Sequence, residues 1–166
     1  MTSVAGSPPE NSCAGWPRVS PIGSTSRTMR SPELAADYVR RAKARLDAVD
    51  ALFACDSWAD VVRESQEVVE LALKGLLRAA GIEPPRIHDV SEVLLAEKGR
   101  FPQAIQRNLD ALAAGSRTLR RDRELAFYGA EDLTPSGFYT KEDAASARDI
   151  ARRTVATVLP HVPGRD

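Results

Sequence analysis

Residues 56–81 read DSWADVVRESQEVVELALKGLLRAAG. Trp58, Val61, Val62, Val69, Ala72, Leu73, Leu76 and Leu77 recur at three- and four-residue intervals, so on a helix they form one wide apolar face. They show none of the period-two alternation of a half-buried strand. Asp56 or Ser57 supplies an N-cap oxygen at one end. At the other end Gly81 stands in the position just past the helix, and Pro84 and Pro85 keep the chain from resuming it. The stretch is expected to be one long helix.

On its N-terminal side, residues 31–54 read SPELAADYVRRAKARLDAVDALFA. Ser31 is placed to cap, Pro32 to occupy the first helical position and Glu33 to meet the positive end of the dipole. Tyr38, Ala42, Leu46, Val49 and Phe53 make one stripe. Two long helices joined by a very short turn predict an antiparallel hairpin.

On the C-terminal side, HDVSEVLLAEKG (88–99) predicts a short helix capped by Asp89 or Ser91, with Val90, Val93 and Leu94 inward and Gly99 as terminator. In residues 101–129, FPQAIQRNLDALAAGSRTLRRDRELAFYG, one face carries Ile105, Leu109, Leu112, Leu119 and Ala126; Gly115 is expected to kink or break the helix. AEDLTPSGFY (130–139) reads as a polar loop. TKEDAASARDIARRTVATVLPHV (140–162) opens on Thr140 as N-cap and turns Ala144, Ala147, Ala151, Val155 and Val158 inward, small enough for close helix approach; Pro160 ends it. No segment carries a strand or hairpin pattern. The fold class is all-α: an up-and-down bundle of four long helices and one short one.

The chain has 166 residues, enough for one domain with a real core. Lys plus Arg equals Asp plus Glu at 23 each, so no global charge recruits nucleic acid or membrane, and an anionic partner must be read by a local patch. Cys13 and Cys55 form neither a disulfide framework nor a zinc site, and a reduced cytoplasmic setting is the simplest reading. No apolar run is long enough for a membrane span. Residues 1–30 are rich in Ser, Pro and Gly and are expected to be a disordered extension. Met29 would then be the native start, ahead of a helical domain over 31–163.

SQEVVELALKGLLRAAGIEPPRIHDVSEVL (65–94) resembles the HEPN domain (higher eukaryotes and prokaryotes nucleotide-binding). The resemblance rests on Gln66, Glu70, Lys74, Leu76, Leu77, Gly81, His88 and Asp89. The later run of RELAFYG (123–129), an acidic pair, a Pro loop, an aromatic and TKEDA (140–144) is similar to one branch of that family. The resemblance implies a helical bundle, commonly a homodimer. It also implies a function on nucleotides or RNA, many members being ribonucleases and often toxins encoded beside a minimal nucleotidyltransferase. The family signature is Arg, a polar residue, a spacer of four to six residues, then His. Such a His can take a proton from a ribose 2′-hydroxyl, and such an Arg can stabilise the charge at phosphorus.

The chain departs from this signature. Arg121 is followed by Asp122, but the only histidines are His88 and His161. One alignment starts at Arg123 and puts Tyr128 in the histidine position. The other starts at Arg121, puts Ala126 there, and gives Tyr128 the place of a tyrosine that toxins carry two residues later. Helical spacing favours the second, because Arg121, Leu125 and Tyr128 share a face, while Arg123 falls on the stripe of Leu109, Leu112 and Leu119. Either way the usual general base is missing, since tyrosine ordinarily ionises near pH ~10.

Each residue also has an ordinary reading. Arg123 is expected to be neutralised by a buried acid, with Glu70 the candidate. Arg120 and Arg121 can pair with Glu124 along the helix, and Tyr128 can anchor the helix end. Glu70 and Lys74 form a stabilising pair four residues apart. His88, before Asp89, is expected to pack against the loop. It has no second His or Cys at ligand spacing, so no metal and no cofactor are implied.

Arg107, Arg117, Arg120, Arg121 and Arg123 lie on one helix with Asp110, Asp122 and Glu124, a modest local excess that a dimer would double. Leu125, Phe127 and Tyr128 surround the end of that helix, which predicts a two-fold interface there. The expected function is a nucleotide- or RNA-binding module with at most degenerate ribonuclease activity, within a toxin–antitoxin type pair. Arg117, Arg120, Arg121 and Tyr128 would bind, and Arg121 and Tyr128 would act in any cleavage. The alternatives are an active ribonuclease toxin and a purely protein-binding dimer.

Overall fold

The computed structural model describes residues 32–128 and 134–162, with side chains except at 123–128, 135 and 136. The N-terminal extension, Met29 and the Ser31 cap lie outside the described residues. In chain order the helices are α1 (Pro32–Ala54), α2 (Trp58–Ala79), α3 (Ser91–Ala96), α4 (Gln103–Gln106), α5 (Leu109–Tyr128), α6 (Pro135–Phe138) and α7 (Lys141–Val158). The four long ones and the short α3 are those the periodicity predicts. Among the described residues there is no strand.

The helix read first, α2, is the centre of the bundle and packs against α1, α5 and α7. Val61, Val68, Ala72, Leu73 and Leu77 are all fully enclosed, which is burial around the helix rather than along one stripe. Its turn from α1 is made by Asp56, whose φ of 56° lies in the left-handed region that Asp tolerates better than most residues. The Phe53 and Trp58 rings meet edge-on across that turn at 5.1 Å. Ser57 takes the N-cap position, but its hydroxyl donates to Asp60 Oδ2 at 2.7 Å rather than capping the backbone. At the far end Gly81 has φ 72°, with Gly81 N donating to Arg78 O and Ile82 N to Leu77 O, both at 2.9 Å. This is a complete Schellman cap.

On α1 the buried residues are Ala35, Val39, Ala42 and Val49, while Tyr38, Leu46 and Phe53 pack at the rim. The expected stripe is therefore present but wider, extended by Ala35 and Val39 toward Gly75 of α2. A Cβ on Gly75 would lie 2.8 Å from Val39 Cγ2 and 3.1 Å from the Ala35 carbonyl oxygen, so the two backbones close on each other there.

Two expectations are corrected. The helix expected to open in FPQ divides, because Asn108 Nδ2 donates to Ala104 O at 2.9 Å and ends α4, while Asn108 O accepts from Leu112 N and opens α5. Gly115 does not break α5, which runs unbroken through it. Its role is tertiary, since a Cβ there would meet Ile150 Cγ2 of α7 at 2.9 Å. The loop before α7 also contains the single turn α6, where Gly137 N donates to Thr134 O at 2.9 Å. The start of α7 is as expected: Thr140 Oγ1 accepts from Asp143 N at 3.2 Å, and Asp143 Oδ2 accepts from Thr140 N at 2.9 Å.

Candidate functional site

The second half of α5 carries Arg117, Arg120 and Arg121. Arg117 and Arg121 are exposed and Arg120 is half-buried. The Arg121 side chain is 78 % exposed, and its Nε donates to Asp122 Oδ1 at 3.3 Å. It stands at a cleft of about 430 Å³ between α5, α6 and α7, lined also by Thr118, Asp122, Phe138, Tyr139 and Asp143.

Tyr139 is the site residue that sequence reading passed over, having counted only as an aromatic before α7. Its hydroxyl donates to the Asp122 backbone carbonyl at 2.5 Å, which ties α6 to α5. Burial, with the negative charges of Asp122 and Asp143, pushes its phenol up to about 12 despite the opposing charge of Arg121. It is therefore a protonated donor near neutral pH. The neighbouring Phe138 ring is partly exposed and meets Tyr139 edge-on at 5.0 Å.

A second cleft, of about 450 Å³, continues along the same pair of helices and is lined by Asn108, Gly115, Thr118, Ile150, Arg153 and Thr157 among others. The two share Thr118 and Ile150. Together they make a seam about 20 Å long between antiparallel α5 and α7.

Arg117 belongs to different surroundings. Its charge acts on Asp89, whose Oδ1 accepts from Ser91 N and from Ser116 Oγ, both at 2.9 Å. Burial raises the Asp89 carboxyl, but these hydrogen bonds and Arg117 hold it below its ordinary 3.8. Asp89 thus caps from just before α3 and ties the loop to α5. The basic residues expected to act together are split between two settings, Arg121 at the α7 seam and Arg117 beside Asp89. The side chains of Arg123 and Tyr128 lie outside the described residues, as do the expected Arg123–Glu70 pair and Arg121–Tyr128 grip.

Glu70 is nearly enclosed, its side chain 11 % exposed. It accepts from Lys74 Nζ at 2.7 Å and Gln66 Nε2 at 3.0 Å, and His88 Nδ1 lies 2.7 Å from its Oε2. Burial pushes the carboxyl up, but the hydrogen bonds from Lys74, His88 and Gln66 and the Lys74 charge outweigh it and hold Glu70 below its ordinary 4.5. The Glu70–Lys74 pair forms as expected but is mostly buried. The reading of His88 is corrected: its ring reaches back to α2 and bonds Glu70 rather than resting on its own loop. With Glu67, one turn earlier, these side chains bring three metal-capable atoms within 4.8 Å of one another. Local spacing cannot show this, because His88 and Glu70 are 18 residues apart.

The fold and these sites define a helical-bundle domain built on a central helix, with a basic helix on its flank. The HEPN domain family model matches residues 35–161, and the chain belongs to the HEPN domain family. No curated protein and no solved structure matches it. Among the described residues no helix is long and apolar enough to cross a membrane.

Proposed function

We propose that the chain is a nucleotide- or RNA-binding HEPN module with at most degenerate ribonuclease activity. The observation that supports this best is the exposed Arg121 guanidinium at the mouth of a cleft whose far wall is aromatic. A guanidinium fork matches phosphate oxygens, and the exposed part of Phe138 offers a surface for a base. The cleft is poorly equipped for cleavage. Neither His88 nor His161 lines it. Tyr139 holds its proton up to about 12, so it does not serve as a base. Asp122 and Asp143 share the cleft and limit how much phosphate charge it accepts.

Arg117, one turn before Arg121, and Arg120, directly before it on α5, are proposed to hold the further phosphates of a strand longer than one nucleotide. Tyr128, at the helix end, completes the proposed binding set. A homodimer joined near that end would set two such faces side by side, and a nucleotidyltransferase is the proposed partner in a toxin–antitoxin type pair. Anisotropy with a labelled single-stranded RNA tests the reading. Arg121→Ala is expected to weaken binding roughly tenfold, the loss of one charged hydrogen-bonding group, and to flatten the log–log salt slope by about 0.7. Unchanged affinity and slope would refute it. Robust cleavage abolished by Tyr128→Phe would favour the active ribonuclease instead.

A further inference from the structure

We propose that the cleft beside Gly115 is a second phosphate subsite, in which Arg153 of α7 holds a phosphate of the same single-stranded RNA that Arg121 engages. The inference rests on the reading of the Arg121 cleft given above and extends it across the seam. Arg153 is the only charged residue among the described ones that line this cleft of about 450 Å³. It is exposed, and among the described residues its guanidinium has no partner. Its neighbour Arg152 is committed elsewhere, with Nη2 donating to Asp50 Oδ1 of α1 at 2.6 Å. Adjacent residues on a helix point about 100° apart, so α7 turns one arginine to α1 and the next to the seam. Asp149, one turn before Arg153, exerts its charge on Arg152.

The spacing suits a strand. A Cβ on Gly115 would meet Ile150, so these two residues face each other across the seam. Arg121 lies six residues beyond Gly115 on α5, and Arg153 lies three beyond Ile150 on the antiparallel α7, in the opposite direction. At a rise of 1.5 Å per residue the two arginines stand about 13 Å apart along the seam. They therefore serve separate phosphates of one strand rather than two sides of one phosphate. Thr118 and Ile150 wall both clefts, so a strand can run from one to the other. Asn108 gives an amide hydrogen to Ala104 O and keeps its side-chain oxygen for a base or a ribose hydroxyl. Asp122 and Asp143 line the Arg121 end alone, so an anion meets less opposition at Arg153.

The test is anisotropy of the full chain with a labelled oligoadenylate long enough to span both clefts. Arg153→Ala is expected to weaken binding roughly tenfold and to flatten the log–log salt slope by about 0.7, while Arg153→Lys keeps the slope. Arg152→Ala, turned away from the seam, is expected to change neither. An Arg153→Ala variant that binds as the wild type does, beside a weakened Arg121→Ala, overturns the second subsite and leaves the first standing. Loss in neither variant removes both. An equal loss in Arg152→Ala would show that binding reads overall charge, and overturns the subsite too. A lower mass by light scattering at unchanged RNA affinity would assign the cleft to a second copy of the chain instead. Should Arg153→Ala fail to fold by circular dichroism, Ala111→Glu, which sets a carboxylate at the exposed rim of the cleft, decides by the same loss of affinity.

Discussion

Helix α1 meets α2 differently from the way α5 meets α7, although a glycine sits at each meeting. At the first, Gly75 faces backbone as well as side chain, and Ala35, Val39, Ala42 and Val49 are at most 2 % exposed. At the second, Gly115 faces only the Ile150 methyl, and open clefts edged by Asn108, Thr118, Arg121 and Arg153 run along the seam. The hairpin is closed by small residues into a dense scaffold. The seam leaves volume and polar groups accessible, which is what a binding surface needs. Close packing thus marks the α1–α2 hairpin, and open clefts mark the α5–α7 seam.

The largest effect is expected beneath both regions. Leu73 is fully enclosed, and Leu73→Ala should cost about 2–5 kcal/mol in urea unfolding. A smaller loss would mean that the centre of the bundle collapses readily around a void. Gly75→Ala comes next. Overpacking against a carbonyl oxygen that has nowhere to move costs about 1–3 kcal/mol, and the helix propensity gained is about 1 kcal/mol at most, so a net loss is expected.

Glu70 tests the scaffold by pH. Its folded value lies below the unfolded 4.5, so its contribution is present above pH 4.5 and is lost as pH falls through the folded value. Glu70→Gln should therefore destabilise at neutral pH and flatten the acid limb of the stability curve. An acid limb unchanged in the variant would show that the hydrogen bonds from Lys74, His88 and Gln66 do not favour the ionised carboxylate. The smallest effect belongs to Gly115→Ala. A Cβ at 2.9 Å obliges the Ile150 methyl to move, the clefts beside it leave room for that, and the propensity gain of about 1 kcal/mol offsets the strain. Stability close to wild type is expected, and a loss equal to that of Gly75→Ala would erase the distinction between the two regions.

What could be read in advance was what a chain encodes within a few residues. The cap at Gly81, the N-cap at Thr140, the apolar face of α2 and the inward alanines of α7 all follow from spacing and turn chemistry, and all appear in the structure. The face of α1 was read too narrowly, because Ala35 and Val39 are buried against Gly75 of the partner helix, which periodicity within α1 does not register. Gly115 was misread for the same reason: a glycine inside a helix signals a break unless one knows that Ile150 presses there. The site was legible only in part. Arg117, Arg120 and Arg121 announce a basic helix, but their separation into two settings depends on Asp89 and Tyr139. His88 shows no partner at ligand spacing, because its partner arrives across a loop.

The central position of α2 also bears on how the molecule is made. Val62 shares a cleft with Ala147 and Ile150, yet α2 ends at Ala79 and α7 begins only at Lys141. As the chain leaves the ribosome, the α1–α2 hairpin can form from neighbouring sequence, since its contacts are local. The flank of α2 that α7 covers then stays bare until the last helix is translated. Nascent or prematurely terminated chains would present that apolar strip to chaperones and proteases. Quality control of this protein would then read the arrival of one C-terminal helix.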